Sequence, residues 1–409
     1  LAAGAAAEKS GSYAEALRQY TLGAEAGDPA CMNALGDLHY DGHGVPQSFP
    51  QALAWYRKAA AKGLRDAQHN LGFCHANGQG VSKDMAEAVR WYRLAADQGF
   101  AKSQANLATA LIEGSGVAKD PVEGRRWLEK AAQQGLVRAQ RLLGYHHWSR
   151  TFGARDAEKA YTWFKQAADQ EDPFAMDFLA YLLSRANEVP RSVPYDPKAA
   201  YRLYLKAALK GFVDSQLMMG DLCREGRMST REGLTTLEGL LKEDLPQARD
   251  WYAKAAAQGS GAGYLWLGHL ATIYKVPADG GAEALRAYPA AIQAGDLRGF
   301  HNLTMLYDQG GLVPRDPAKA LEWALKGARM GDADSWEDLE TRLFERKEPE
   351  VLASFETLAQ EGHAKAAFTL GLINHVAGSL PEMKTRGTYL RVVGLVEALG
   401  LRGERDRAY

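Results

Sequence analysis

The chain is poor in cysteine, in net charge and in long apolar runs. Its 409 residues include three cysteines, Cys31, Cys74 and Cys223. An odd count is a weak disulfide framework. Lysine plus arginine number 49 against 50 aspartate plus glutamate, a formal net charge of −1. That balance argues against a nucleic-acid or anionic-membrane surface, which would need a basic excess. No apolar stretch reaches the length of a membrane span. The sequence carries no H-E-x-x-H, no paired C-x-x-C and no G-x-S-x-G, so nothing marks a zinc site or a nucleophile elbow. The ten histidines are scattered. His146 and His147 are adjacent, and neighbours on a helix diverge by about 100°, so they cannot share one metal. No catalytic residue, metal, cofactor or small-molecule substrate is expected.

What the chain has is a period. The phrase WYRKAAAKG at Trp55 returns as WYRLAADQG at Trp91, WLEKAAQQG at Trp127 and WFKQAADQE at Trp163, each 36 residues on. Later copies begin at Leu203, Trp251, Ala287 and Trp323, and an earlier one at Gln19. Six of the nine tryptophans fall at this phase, so the repeat is structural punctuation rather than chance. A fixed period of this length marks a solenoid of one supersecondary unit. Gly36 and Gly72 share a register, which places Cys31 and Cys74 about two helical turns apart, roughly 10 Å. With the offset between neighbouring repeats added, that exceeds disulfide reach. Three buried, small apolar side chains are expected instead.

Each repeat reads as two helices. Ala67, Leu71 and Cys74 fall at i, i+4, i+7 on a first helix, here helix A. Ala52, Trp55, Tyr56, Ala59 and Ala60 form the wide apolar stripe of a second, helix B. The recurrent Ala-Ala pair thins that face, and the aromatic four residues earlier is expected to fill the space. Gly78-Gln-Gly80 and its equivalents link A to B, glycine supplying positive φ. These turns lack the strand before and the Lys-Ser/Thr after that a phosphate loop requires. Asp84, Asp120, Asp196 and Asp316 cap helix B, three of them followed by proline. Glu87 and Glu123 stand at capping-box spacing. His39, His75 and His147 share one register and are read as aromatic substitutes at the core rim.

The pattern A-x-x-x-L-G…G-x-G-V-x-x-D…A-x-x-W-Y-x-x-A-A-x-x-G resembles the Sel1-like repeat family, relatives of the tetratricopeptide repeats. The likeness is strongest over 28–171 and runs with drift to about 375. It implies an all-α, right-handed superhelical solenoid of about nine to ten two-helix repeats, helix A lining the concave side. We expect the solenoid over 1–381, with an insert at 226–246, and a closing helix plus polar tail over 382–409. A smaller Pro-rich insert follows Asn187. The opening LAAGAAAE leads us to expect an exported, periplasmic protein, with a cytoplasmic one as the alternative.

The resemblance implies a non-catalytic binder of another protein. On helix A, positions equivalent to His69, Phe73 and Ala76 lie opposite the Ala67/Leu71 face and are read as open positions pointing into the concave groove that would engage the partner. Among the residues at these registers, Ala105, Ile112, Ser184, Leu265 and Asp308 also occur. The expected partner-binding residues are Tyr40, Phe73, Arg141, Tyr145, Trp148, Asp177, Tyr181, Asp221, Arg224, His269 and His301. Tyrosine, tryptophan and arginine dominate protein interfaces. The resemblance suggests an immunity protein that sequesters a secreted effector such as a type VI phospholipase. A scaffold of an envelope complex, such as exopolysaccharide secretion, is the second reading. A weak β-lactam- or cell-wall-acting hydrolase is the third.

Overall fold

The computed structural model describes residues 1–185, 190–230, 233–235, 237, 241–276 and 279–379. The closing helix expected from Tyr389, the tail, and parts of both inserts lie outside the described residues. The helices run α1 (Ala2–Lys9), α2 (Tyr13–Glu25), α3 (Pro29–Asp41), α4 (Phe49–Ala61), α5 (Arg65–Asn77), α6 (Met85–Asp97) and α7 (Ala101–Glu113). Next come α8 (Pro121–Gln133), α9 (Val137–Trp148), α10 (Ala157–Asp169), α11 (Pro173–Ser184), α12 (Pro197–Leu209) and α13 (Val213–Glu225). After the insert follow α14 (Leu245–Ala257), α15 (Gly261–Thr272), α16 (Gly280–Gln293), α17 (Arg298–Gln309), α18 (Pro317–Arg329), α19 (Ala333–Phe344), α20 (Pro349–Gln360) and α21 (Ala364–Ser379). The all-α solenoid is thus observed, with one small addition. Within the insert, β1 (Met228–Thr230) and β2 (Gly233–Thr235) pair with each other.

The chain divides into two compact lobes. The N-terminal lobe holds 1–207 with 229–233, and the C-terminal lobe holds 208–228 and the rest from 234. In each, sequential helices pack on one another. From α3 on, helices A are the odd-numbered and helices B the even-numbered ones.

Three devices recur inside the lobes. The first is a glycine–aromatic lock. A Cβ added to Gly72 of α5 would stand 2.6 Å from Tyr92 of α6, and one on Gly144 of α9 would stand 2.7 Å from Phe164 of α10. Gly36 with Tyr56, Gly220 with Tyr252 and Gly268 with Tyr288 repeat the contact. Where Leu128 replaces the aromatic, Ala108 replaces the glycine, so volume is conserved across the contact. The sequence had assigned core filling to the aromatic at the tryptophan phase. The residue that fills the core is the next one: Tyr56 and Tyr92 are 2% and 4% exposed, whereas Trp55, Trp91, Trp127 and Trp163 are half-buried. Two of those tryptophans support cations instead, Lys58 at 4.0 Å over Trp55 and Lys130 at 4.1 Å over Trp127, a contact that covers ring face with aliphatic stem.

The second device is the A-to-B tie. The backbone N–H of the helix-B cap residue donates to a carbonyl near the end of helix A, Asp84 to His75 at 2.8 Å and Asp120 to Leu111 at 2.8 Å. The insert respects it, because Asp244 donates to Cys223 at 2.7 Å. The same aspartates accept from the first turn of helix B, as Asp84 does from Glu87 N–H at 3.0 Å. The reciprocal half of the expected capping box is not made: the Glu87 carboxylate takes Arg90, and Glu123 takes Arg93 and Trp127.

The third is a glutamine ladder. Gln104, 3% exposed, donates to the Ala96 carbonyl at 3.2 Å and accepts from Gln134 at 2.8 Å. Gln140 makes the equivalent bonds to Ala132 and Gln170, and Gln216 to Ala208 and Gln258. A buried amide satisfied on both ends specifies register between repeats. The three cysteines are buried and free, as expected.

Candidate protein-binding face

Helix A buries Ala67, Leu71 and Cys74 and turns its opposite side away from the core. The register of Phe73 is the most open: Phe73 and Tyr145 are each 41% exposed. The registers of His69 and Ala76 are less open than the sequence suggested. Ala105, Ile112, Ser184, Leu265 and Asp308 are all buried, and this corrects the reading of the whole triplet as exposed. The reason is the approach of successive helices A. His69 Nδ1 lies 2.8 Å from Ser103 Oγ, and Asn70 donates to Asn33 at 3.1 Å. The open stripe therefore follows 66, 70 and 73, also i, i+4, i+7, rather than 69, 73 and 76.

In the N-terminal lobe this stripe changes character along the array. Tyr40 donates to Gln79 Oε1 at 2.8 Å and sets its ring edge toward Phe73 at 6.5 Å. Beside Phe73 lies a cleft of about 450 Å³ lined by His69, Tyr92, Lys102, Asn106, Leu136 and Arg138, among others. Further along, Arg141 pairs with Asp172 at 3.2 Å and lies over the Phe174 ring. Tyr145 meets Phe174 and Phe178 edge-on, each at 6.3 Å, and those two rings stack at 4.8 Å. Trp148 meets Tyr181 at 5.6 Å, with Arg155 over Trp148 at 4.0 Å and Arg185 over Tyr181 at 5.3 Å. Asp177 is half-buried one turn before Tyr181. The structure thus brings Arg141, Tyr145, Trp148 and Tyr181 into one aromatic–cationic surface on α9 and α11.

The sequence reading missed Phe174, Phe178, Lys102, Asn106 and Arg138. All stand at the registers of Asp66 or Asn70. Reading those two columns along the period, as was done for 69, 73 and 76, would have exposed them.

In the C-terminal lobe the expected residues are engaged internally. Asp221 accepts from the Tyr252 hydroxyl at 2.7 Å and pairs with Arg224 at 3.1 Å. Arg224 also lies over the Trp266 ring at 4.4 Å. His269 Nε2 is 3.2 Å from Asn302 Oδ1, and burial lowers its pKa. His301 Nδ1 lies 2.8 Å from Asp338, whose carboxylate raises the imidazole pKa. Among the described residues, no group of three or more His, Cys, Asp or Glu side chains could hold a metal. No described helix is long and apolar enough to cross a membrane.

Stacked helix pairs with an open helix-A face define an α-solenoid whose chemistry is recognition. The chain belongs to the Sel1 repeat family, whose model matches residues 29–64, 65–100, 101–136, 137–172, 173–212, 213–260 and 299–332. Proteins built from this repeat bind other proteins and are generally non-catalytic scaffolds. No curated protein matches the chain. Among solved structures it is similar to a protective antigen present in uropathogenic Escherichia coli strains and displaying an SLR fold. That likeness is 27% identical, with a TM-score of 0.67, over 95% of this chain and 84% of the antigen. A Sel1 repeat protein from Oxalobacter formigenes is 29% identical, TM-score 0.55, over 62% of this chain and 98% of its own.

Proposed function

We propose that the chain is an exported, non-enzymatic binder that sequesters a single partner protein against the helix-A face of α5 to α11. The observation that carries this reading is the surface of Tyr145, Phe174, Phe178, Trp148 and Tyr181. Aromatic rings are held half-exposed by edge contacts and flanked by arginines, the residue types that anchor interfaces. A secreted effector is the partner this reading favours, with the chain as its immunity protein. An envelope scaffold is the second reading, favoured by the paired strands Met228–Thr230 and Gly233–Thr235, which give this part of the insert a shape of its own for a further contact.

The test is affinity capture from the native organism's lysate, comparing wild type with Y145A/W148A/Y181A. One dominant enzyme or toxin is expected, lost with the triple variant and inhibited by stoichiometric wild-type chain. Several envelope components, none inhibited, would replace this reading with the scaffold. Capture unchanged by the triple variant would remove the helix-A face from consideration.

A further inference from the structure

The cleft between α5, α7 and α9 has a charge that the fold does not use. Lys102 and Arg138 are exposed residues at its rim, and among the described residues neither has a carboxylate within ion-pair distance. Arg138 Nη1 donates instead to Asn106 Oδ1 at 2.8 Å, which fixes the guanidinium without neutralising it. Asp66, an acid whose charge acts on His69, lies 3.7 Å from Arg65. Both cations stand in the first turn of their helices, α7 and α9. A positive charge there opposes the helix dipole, so neither is placed for the helix's benefit. His69 adds no negative charge. Burial first, then the field of Lys102, with Arg138 acting the same way, lowers its pKa to about 4.

One register over on α9, a cation of the same face does have its acid. There Arg141 has its carboxylate, Asp172, at 3.2 Å, beside the Phe174 ring. Lys102 and Arg138 line one cleft with the Phe73 and Tyr92 rings, and among the described residues no carboxylate stands within ion-pair distance of either.

We propose that this cleft seats an acidic peptide segment of the partner protein, one Asp or Glu carboxylate reached by Lys102 and Arg138 and the neighbouring apolar side chain lodged against Phe73 and Leu136. This rests on the reading of the helix-A face as the binding surface and names the chemistry of what it binds. Charge complementarity selects the occupant. Two unpaired cations over an apolar floor match one carboxylate with an adjacent hydrophobe, whereas a nucleic acid would need a basic track that a chain of net charge −1 lacks here. Guanidinium–carboxylate bonds are among the stronger hydrogen bonds available to a shallow site.

The test is selection of phage-displayed random heptapeptides on the intact chain, followed by fluorescence anisotropy of the labelled consensus peptide. Peptides with Asp or Glu beside Leu, Phe or Tyr are expected. K102E/R138E should weaken the consensus peptide by at least about tenfold, a loss on the scale of one charge-assisted contact. Rising salt should weaken the wild-type complex, and K165E, on the far helix α10, should bind as wild type does. Glutamate in a first helical turn is favourable, so K102E/R138E should melt no lower than wild type. If it does melt lower, K102A/R138A at unchanged melting temperature decides in its place. A consensus without acids, binding retained by the charge-reversed or neutralised protein, or no enrichment at all would overturn the proposal. Partner capture that still depends on Tyr145, Trp148 and Tyr181 would then show that the helix-A face survives and only the acidic segment has failed.

Discussion

In the N-terminal lobe Gly72 of α5 receives the Tyr92 ring of α6, and Gln104 joins the Ala96 carbonyl to Gln134. In the C-terminal lobe Thr304 and Ala324 stand at the lock registers, and the glutamine ladder ends at Gln258. Its later repeats are joined differently. Arg342, 2% exposed, contacts Asp308 at 2.9 Å and Glu348 at 3.0 Å, and Arg346 reaches the second Asp308 oxygen. The Arg342–Asp308 contact falls outside hydrogen-bond angles, so it acts by charge more than by direction. One backbone plan is therefore closed by neutral shape and amide bonds through the N-terminal lobe and the first repeats of the C-terminal lobe, where the Gly220–Tyr252 and Gly268–Tyr288 locks and the Gln216–Gln258 bond persist, and by buried charge in the later repeats. The difference shows how much a repeat can drift. The helix pair needs its interior filled and its polar groups paired, and either chemistry suffices.

The largest expected effect tests the charged side. Arg342→Ala leaves Asp308 and Glu348 with only the exposed Arg346 as a shared cation and should cost toward the low end of the about 3–5 kcal/mol that breaking a buried ion pair costs. Arg342→Met, which keeps volume, removes the same buried charge beside Asp308 and should recover only part. Denaturant unfolding, with hydrogen exchange reporting α17 to α19 separately from α5 to α7, checks both. A loss spread evenly over the two lobes would end the comparison.

A smaller effect concerns acid. His147 of α9 is 3% exposed with Nε2 unpaired, and burial lowers its pKa to about 4. Between that value and the unfolded value of about 6.5 the unfolded chain binds the extra proton. The contribution is therefore fully present above pH 6.5 and is lost as pH falls through about 4, a span on the order of 3 kcal/mol. Asp37 works in the opposite sense. Burial raises its pKa to about 6, so its contribution is present below its unfolded value of 3.8 and lost as pH rises through 6. His147→Leu, the residue type at the equivalent Leu111, should flatten the acid limb of a melting-temperature profile. An unchanged limb would mean that another group governs it.

The smallest effect sharpens the neutral side. Gly72→Ala places a Cβ 2.6 Å from Tyr92 and should cost about 1–3 kcal/mol by overpacking. Adding Tyr92→Leu reproduces the natural Ala108/Leu128 pair and should restore part of the loss. A double-mutant cycle measures that coupling. Additive losses would mean the lock is not a volume match.

The fold was legible because period and punctuation are local. Trp55, Trp91, Trp127 and Trp163 fix the repeat, and Asp84, Asp120, Asp196 and Asp316 mark helix starts that the structure places at α6, α8, α12 and α18. The candidate face was legible only in part. Phe73 and Tyr145 were found from helical phase. Phe174, Phe178 and Arg138 were missed because contacts between successive helices A, such as His69 with Ser103, decide which flank of the stripe opens. Asp221 and Arg224 show the converse. Their types suggest an interface, yet Tyr252 and Trp266 occupy them from within.

The sequence by itself determined the helix pairs, their 36-residue spacing, their caps and the burial of the three cysteines, since each depends on residues within one repeat. Only the tertiary structure decided that Tyr56 and Tyr92, the residues after Trp55 and Trp91, fill the core, that Arg342 is buried with Asp308, and that, among the described residues, Lys102 and Arg138 have no carboxylate within ion-pair distance. Those outcomes depend on which side chains from different repeats come within a few ångströms, and burial and Coulomb energy are set by that approach rather than by order along the chain.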